Sequence, residues 1–450
     1  MVKHSMDMTH GSLFSKLIFF SLPLIASGIL QLLFHAADII VVGRFAGANS
    51  MAAVGSTTAL VNLLTNFFIG ISIGASVVLG HCIGAHNYAK SQQAVQTAMV
   101  TALVCGVFVM TIGLFLSPQM LKWMDTPKDV IDLSILYLRI YFCGMPFFML
   151  YNYGAALLRS VGDTKRPLYF LLVSGIVNVV LNLIFVILFH MDVAGVALAT
   201  ISSQAMSAWF VMKSLKTSED FLHFTWKDSH LHWDCLKEML KVGFPAGLQS
   251  IVFSLSNVLI QSSINSFGPT MMAANTAASN IEGFIFTSTN SMHQTTLSFT
   301  AQNYGAKKPK RITKTFIYCL VIVTTIGVVM GVGAYLLGDL LLGIYSPDPI
   351  VVELGLKRLS IVGICYAFCG IMDVCAAAVR GIGYSFMPMI VSVIGACAFR
   401  IVWIMTFFQW YRSIETLYIS YPISWILTIA IHLCCYLIVR KKAYRKLMED

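Results

Sequence analysis

Twelve stretches of mostly apolar residues run along this 450-residue chain, and each is long enough to cross a bilayer as one helix of about 20 residues. They lie near 14–42, 55–82, 92–117, 130–158, 167–189, 193–213, 237–265, 271–301, 312–338, 350–379, 386–409 and 415–440. Inside hydrocarbon a backbone must satisfy its own hydrogen bonds, so stretches of this length read as helices. Only 11% of the residues are charged and 57% are hydrophobic. That balance excludes a water-soluble enzyme, a secreted disulfide scaffold and a disordered chain. The first apolar stretch is long and many follow it, so it reads as a span and not as a cleaved leader.

Lysine and arginine fix the expected orientation. Loops and span ends on one side carry 22 of the 30 basic residues, and those on the other carry 7. Arg44, Lys122, Lys128, Arg139, Lys357, Arg358 and Arg412 make up the smaller set, and Arg400 falls inside span eleven. The richer side is expected to be cytoplasmic, with both termini inside and the protein multi-pass in the plasma membrane. The net charge of +10 then follows from topology and calls for no nucleic-acid partner. Eleven cysteines, nearly all within spans, read as small apolar residues without a metal or disulfide role.

The chain repeats itself. Ala52-Ala53 recurs as Ala273-Ala274, Gly84-Ala85 as Gly305-Ala306, and Arg159, Gly162 and Pro167 as Arg380, Gly383 and Pro388, always 221 residues later. Two homologous halves follow, an N-lobe at 1–213 and a C-lobe at 237–450, joined by a polar cytoplasmic linker at 214–236 that has the makings of an amphipathic helix. Each half has six spans, so both enter and leave on one face and form parallel repeats with a pseudo-two-fold axis along the membrane normal. The fold class is an all-α integral membrane protein of twelve transmembrane helices in two six-helix lobes. Transporters built this way hold their substrate between repeats and alternate its access.

Ionisable residues inside spans are costly and mark function by default. The first half has one such acid, Asp38. At 1.5 Å per residue, Asn182 of span five and Thr200 of span six reach a similar depth, and Asn178 shares a face with Asn182 four residues on. Asp38, Asn178, Asn182 and Thr200 together offer hard oxygen ligands for a proton or a sodium ion. The competing reading is an interhelical hydrogen-bond cluster that only packs helices.

The second half lacks this cluster: the positions 221 on from Asp38, Asn178 and Asn182 are Leu259, Phe399 and Trp403. It carries Glu282, Asp373 and Arg400 instead. Glu282 and Arg400 both lie near midplane, where they either pair or leave Glu282 to attract cationic substrates. With Gln31, Asn62 and Asn290 on polar stretches of their spans, these three are the expected lining of a substrate cavity, although Asp373, close to the cytoplasmic end of its span, fits a solvated or capping role equally well. Pro23 and Pro245 sit inside spans one and seven as expected kinks, Pro23 as a hinge. The pairs Gly70–Gly74 and Gly80–Gly84 read as close helix packing.

The run from Pro23 through Gln31 and Asp38 to Val42-Gly43, the loop Arg159–Pro167, and the segments Gln302–Ala306 and Arg380–Ser385 together resemble the multidrug and toxic compound extrusion (MATE) family, over nearly the whole chain. Asp38, Asn178, Asn182 and Thr200 fall at the N-lobe cation site of its DinF-like bacterial and archaeal branch. Some members have an aspartate where this chain has Asn182. The resemblance implies a non-enzymatic monomer that exports organic cations or other amphipathic small molecules by alternating access, driven by inward movement of protons or sodium, with no cofactor beyond the coupling ion. The alternative on the same fold superfamily is a flippase for a lipid-linked precursor. Such a flippase calls for a more basic cavity than one deep arginine supplies. A membrane enzyme or haem protein would need paired histidines on adjacent spans, and a channel a filter sequence; neither is present.

Overall fold

The computed structural model describes residues 6–124, 126–227 and 229–449. Among these residues every regular element is a helix. In chain order, α1 is Leu13–Phe45, α2 Ala48–Gly84, α3 Tyr88–Trp123, α4 Lys128–Cys143 continued by Met145–Ser160, α5 Lys165–Leu188 and α6 Asp192–Lys216. The second six are α7 Trp233–Asn265, α8 Pro269–Gly305, α9 Pro309–Leu336, α10 Pro349–Gly381, α11 Phe386–Trp410 and α12 Ile414–Glu449. A short helix, Gly338–Tyr345, precedes α10.

Ten of these helices are long and apolar enough to cross a membrane, and α4 makes eleven when its two segments, bent by 48°, are taken as one span. The bend falls at Gly144, just before Pro146, which lacks the amide hydrogen a continuous helix would need there. The twelfth span is α8. It is 37 residues long, but serine, threonine, asparagine and glutamine run along it, and most of it is buried in protein.

The repeat is visible in the backbone. From α2 to α5, each helix start recurs 221 residues later at the start of its counterpart from α8 to α11. The positive-φ residues His86 and Gly162 recur as Lys307 and Gly383 at the same spacing.

Packing divides the chain into two compact units. The first is Ala26–Gly247 with Met6 and Asp7, and the second is Met8–Ile25 with Leu248 onward. Both divisions fall inside helices, within three residues of Pro23 in α1 and of Pro245 in α7. In the first unit α3 packs on α2 and α4, and α6 on α4 and α5, around Leu79, Met99, Leu138, Phe142, Tyr153 and Leu157. In the second, α8, α9 and α10 pack on one another and α12 lies along α10. Its core includes Ile260, Met271, Val362, Leu417, Tyr418 and Trp425.

Within the first unit, Gly70 and Gly74 of α2 face Gly247 and Gly243 of α7. A methyl group at Gly74 would lie 2.0 Å from the Met239 carbonyl oxygen, and one at Gly243 would lie 2.6 Å from that of Ile71. Small residues four apart on both helices bring the backbones into contact. The linker differs from the amphipathic helix expected of it. No helix lies between Lys216 and Trp233 among the described residues. Instead Leu222 and Phe224 are buried in the first unit's core, and His232 bonds Thr97 and Gln96 of α3. Burying two apolar residues of an irregular loop leaves no separate apolar face for a helix to present.

Candidate functional site

The first-unit site begins with a notch. Gly175 of α5 has no side chain, and the Phe34 ring of α1 lies over it; a methyl group there would come within 1.9 Å of the ring. Asp38 is one helical turn beyond Phe34, and Asn178 and Asn182 are one and two turns beyond Gly175 on the same face. The close approach at Gly175 therefore sets the register that brings Asp38 to Asn182.

Asn182 Nδ2 donates to Asp38 Oδ1, and also to Asn178 Oδ1 at 3.3 Å. Asn182 is 1% exposed, and its own Oδ1 is buried without a hydrogen-bond partner. Asp38 is half-buried, and no basic side chain among the described residues pairs with it. Immediately beyond Asn182 the helix widens into a π-turn at Ile184–Leu188, a local distortion frequent at functional sites.

Thr200 does not join the bonded set: its hydroxyl donates to Val196 O of its own helix at 2.9 Å, leaving its lone pairs free. The sequence reading missed Tyr137 and Tyr141 of α4, which lie within the electrostatic reach of the Asp38 charge. Tyrosines four apart in an apolar helix were the available signal. Nearby on α6, Gln204 Oε1 is likewise buried and unpartnered.

In the second unit Glu282 does not pair with Arg400. Its partner is Arg358, which donates from Nε to Oε1 at 2.9 Å and from Nη2 to Oε2 at 2.7 Å. Arg358 also donates from Nη1 to Asn275 Oδ1 at 2.6 Å, and Tyr418 donates to the same oxygen at 3.3 Å. Both charged side chains are buried, at 4% and 5% exposure. Topology by charge count had placed Arg358 among the outer-side residues. It belongs to the interior because Glu282 and Asn275 satisfy its planar fork, as burial of a guanidinium requires.

Arg400 is 3% exposed and donates from Nε to Ser424 Oγ at 2.9 Å. Its guanidinium lies 4.2 Å from the Tyr421 ring centroid and 5.6 Å from that of Trp425. Asp373 is part-buried on α10, where Arg380 is the basic group whose charge reaches it and His293 Nδ1 donates to its backbone carbonyl at 3.0 Å. Gln31 and Asn62 are exposed and Asn290 is partly so. Asn152 donates to Phe148 O of its own helix at 2.8 Å. All eleven cysteines are free, and the described residues contain no cluster of three or more His, Cys, Asp or Glu that would hold a metal.

The MatE family model matches twice, over residues 23–184 and 245–406, one match to each half of the repeat. The chain belongs to the MATE family. As a member it is a multi-span membrane transporter and not an enzyme. Among its relatives, the probable multidrug resistance protein YoeA of Bacillus subtilis (strain 168) is 28% identical over 390 residues, covering 85% of this chain and 84% of its own. The probable multidrug resistance protein YpnP of the same organism is 26% identical and covers 90% of each chain. A solved multidrug resistance MATE family transporter of the MOP superfamily, in an outward-facing conformation, superposes with a TM-score of 0.90 at 20% identity over 100% of both chains. That likeness fixes the fold of the MATE chain as all-helical with twelve spans.

Proposed function

We propose that this MATE chain exports amphipathic small molecules, organic cations among them, in exchange for protons or sodium ions, from the cytoplasm across the plasma membrane. The halves at 1–213 and 237–450 act as two six-span lobes joined at 214–236, with both termini cytoplasmic and one chain sufficient for transport. The observation that carries the coupling reading is the unpaired Asp38 carboxylate bonded to Asn182, whose own oxygen is left over.

An amide turned by half a rotation about its terminal torsion exchanges donor for acceptor. With Asp38 charged and the site empty, Asn182 donates to the carboxylate. With Asp38 protonated, its hydroxyl donates to Asn182 Oδ1; with sodium bound, that same oxygen joins the carboxylate as a ligand. Asn178 Oδ1 and the lone pairs of Thr200 complete an oxygen donor set suited to a hard cation. The coupling ion then removes a half-buried negative charge and rearranges the Asp38–Asn182 bond that joins α1 to α5. Pro23, close to where α1 passes from one compact unit to the other, is the hinge. An ion drives such a change only through its different affinity for the two arrangements.

Gln31, Asn62, Asn290, Asp373 and Arg400 are assigned to the substrate cavity; Glu282 is occupied by Arg358. Relatives named as multidrug resistance proteins support drug export over transfer of a lipid-linked precursor. The test is ethidium export by purified protein in liposomes with pH and sodium gradients imposed separately. Export driven by one of them supports the reading, and export indifferent to both contradicts it.

A further inference from the structure

In the second unit two arginines lie buried among aromatic rings, and their charges are handled differently. Glu282 neutralises Arg358 with a bidentate pair. Arg400 has one hydroxyl, Ser424 Oγ, and the faces of Tyr421 and Trp425. No carboxylate pairs with it among the described residues, and its Nη2 is buried without a hydrogen-bond partner. Leaving a guanidinium out of water with an open donor costs several kcal/mol, and a desolvated ring face returns about 2 of it without satisfying the donor.

A hydroxyl and a thiol lie close by. Ser256 Oγ of α7 is buried and donates to Cys397, the same cysteine that feels the Arg400 charge. The backbone just before Arg400 is a π-turn, Val393–Ala398, which rotates Arg400 off the regular helical register. Tyr421 is partly exposed, whereas Ser424 and Trp425 are buried. Of the two rings on the guanidinium, that of Tyr421 is the more exposed.

We propose that Arg400 is an anion-binding residue of this transporter, taking the planar carboxylate of an aromatic or otherwise amphipathic ligand. The free Nη2 donates to a carboxylate oxygen, Trp425 packs on the ligand body, and Tyr421 swings aside to admit it. The fork of arginine matches a carboxylate where lysine offers only a point charge. Substrates then include organic anions and zwitterions. This site lies wholly within the second unit and does not depend on ion coupling at Asp38.

The test is equilibrium binding of 1-naphthoate to the full-length protein in phosphatidylcholine nanodiscs without any ion gradient, with empty nanodiscs as blank and neutral 1-naphthamide as control. Naphthoate is expected to bind at least about tenfold more tightly than naphthamide, from the charge-assisted contact. Arg400→Gln is expected to remove that preference and Arg400→Lys to keep part of it. Tyr421→Ala is expected to speed association. Equal binding of naphthoate and naphthamide by the wild-type protein overturns the proposal without reference to any variant, and so does a preference that survives Arg400→Gln. A loss of export with the naphthoate preference intact counts against the coupling reading and leaves the anion site standing.

Discussion

Asn182 donates to the carboxylate of Asp38 while its own amide oxygen stays buried without a partner. The bond joins α1 to α5 within one compact unit and uses only half of what the asparagine offers. A purely structural cluster would satisfy both halves, because an orphaned buried acceptor costs about 1–3 kcal/mol. The arrangement has the form of a site in one of two states.

Asn182→Ala removes the group that answers to the charge on Asp38. Ion-driven export is expected to fall about tenfold or more, the loss of a hydrogen bond to a charged group, with a higher ion concentration needed for half-maximal rate. Asn178→Ala, one bond further out, is expected to have the same direction and a smaller effect. Initial export rates against pH and sodium concentration read both.

Gly175→Val tests whether the α1–α5 notch positions the site. Even the first added carbon meets the Phe34 ring, so α1 must move outward and the Asp38–Asn182 bond must lengthen. Coupled export is expected to be lost while the protein still purifies as a monodisperse species. Phe34→Ala combined with Gly175→Val relieves the clash and is expected to restore part of it.

Glu282 and Arg358 are expected to govern stability. Removing one partner of a buried pair costs about 3–5 kcal/mol, because the other charge is stranded. Glu282→Gln and Arg358→Met are each expected to lower the unfolding temperature in nanodiscs. The double variant is expected to recover much of the loss, because no charge remains stranded.

The spans were legible because hydrocarbon demands long apolar helices, and the repeat because 221 recurs in loops and helices alike. The polarity of α8 was visible as serine, threonine and asparagine, and its burial in protein is what makes that polarity tolerable. Asp38, Asn178 and Asn182 could be joined from depth and helical spacing alone. Thr200 has the right depth, but its hydroxyl turns back to Val196 O, a choice that spacing does not reveal. Arg358 was misplaced because a charge count treats any arginine near a span end as a loop residue. Its fork had to be seen against Glu282 and Asn275. The break at Gly144 and the π-turns beside Asn182, Arg358 and Arg400 leave no trace in hydropathy, since they change hydrogen-bond register and not composition.

The central claim is that Asp38 couples the ion to transport. Asp38→Asn keeps the size of the side chain and an acceptor oxygen but removes the charge that a proton or sodium ion neutralises. The most direct measurement is ethidium export from liposomes by wild-type and Asp38→Asn protein, under a pH gradient and separately under a sodium gradient. The account predicts that the gradient-driven component disappears in the variant while ethidium binding in detergent persists. Export that survives with its ion dependence unchanged would contradict it.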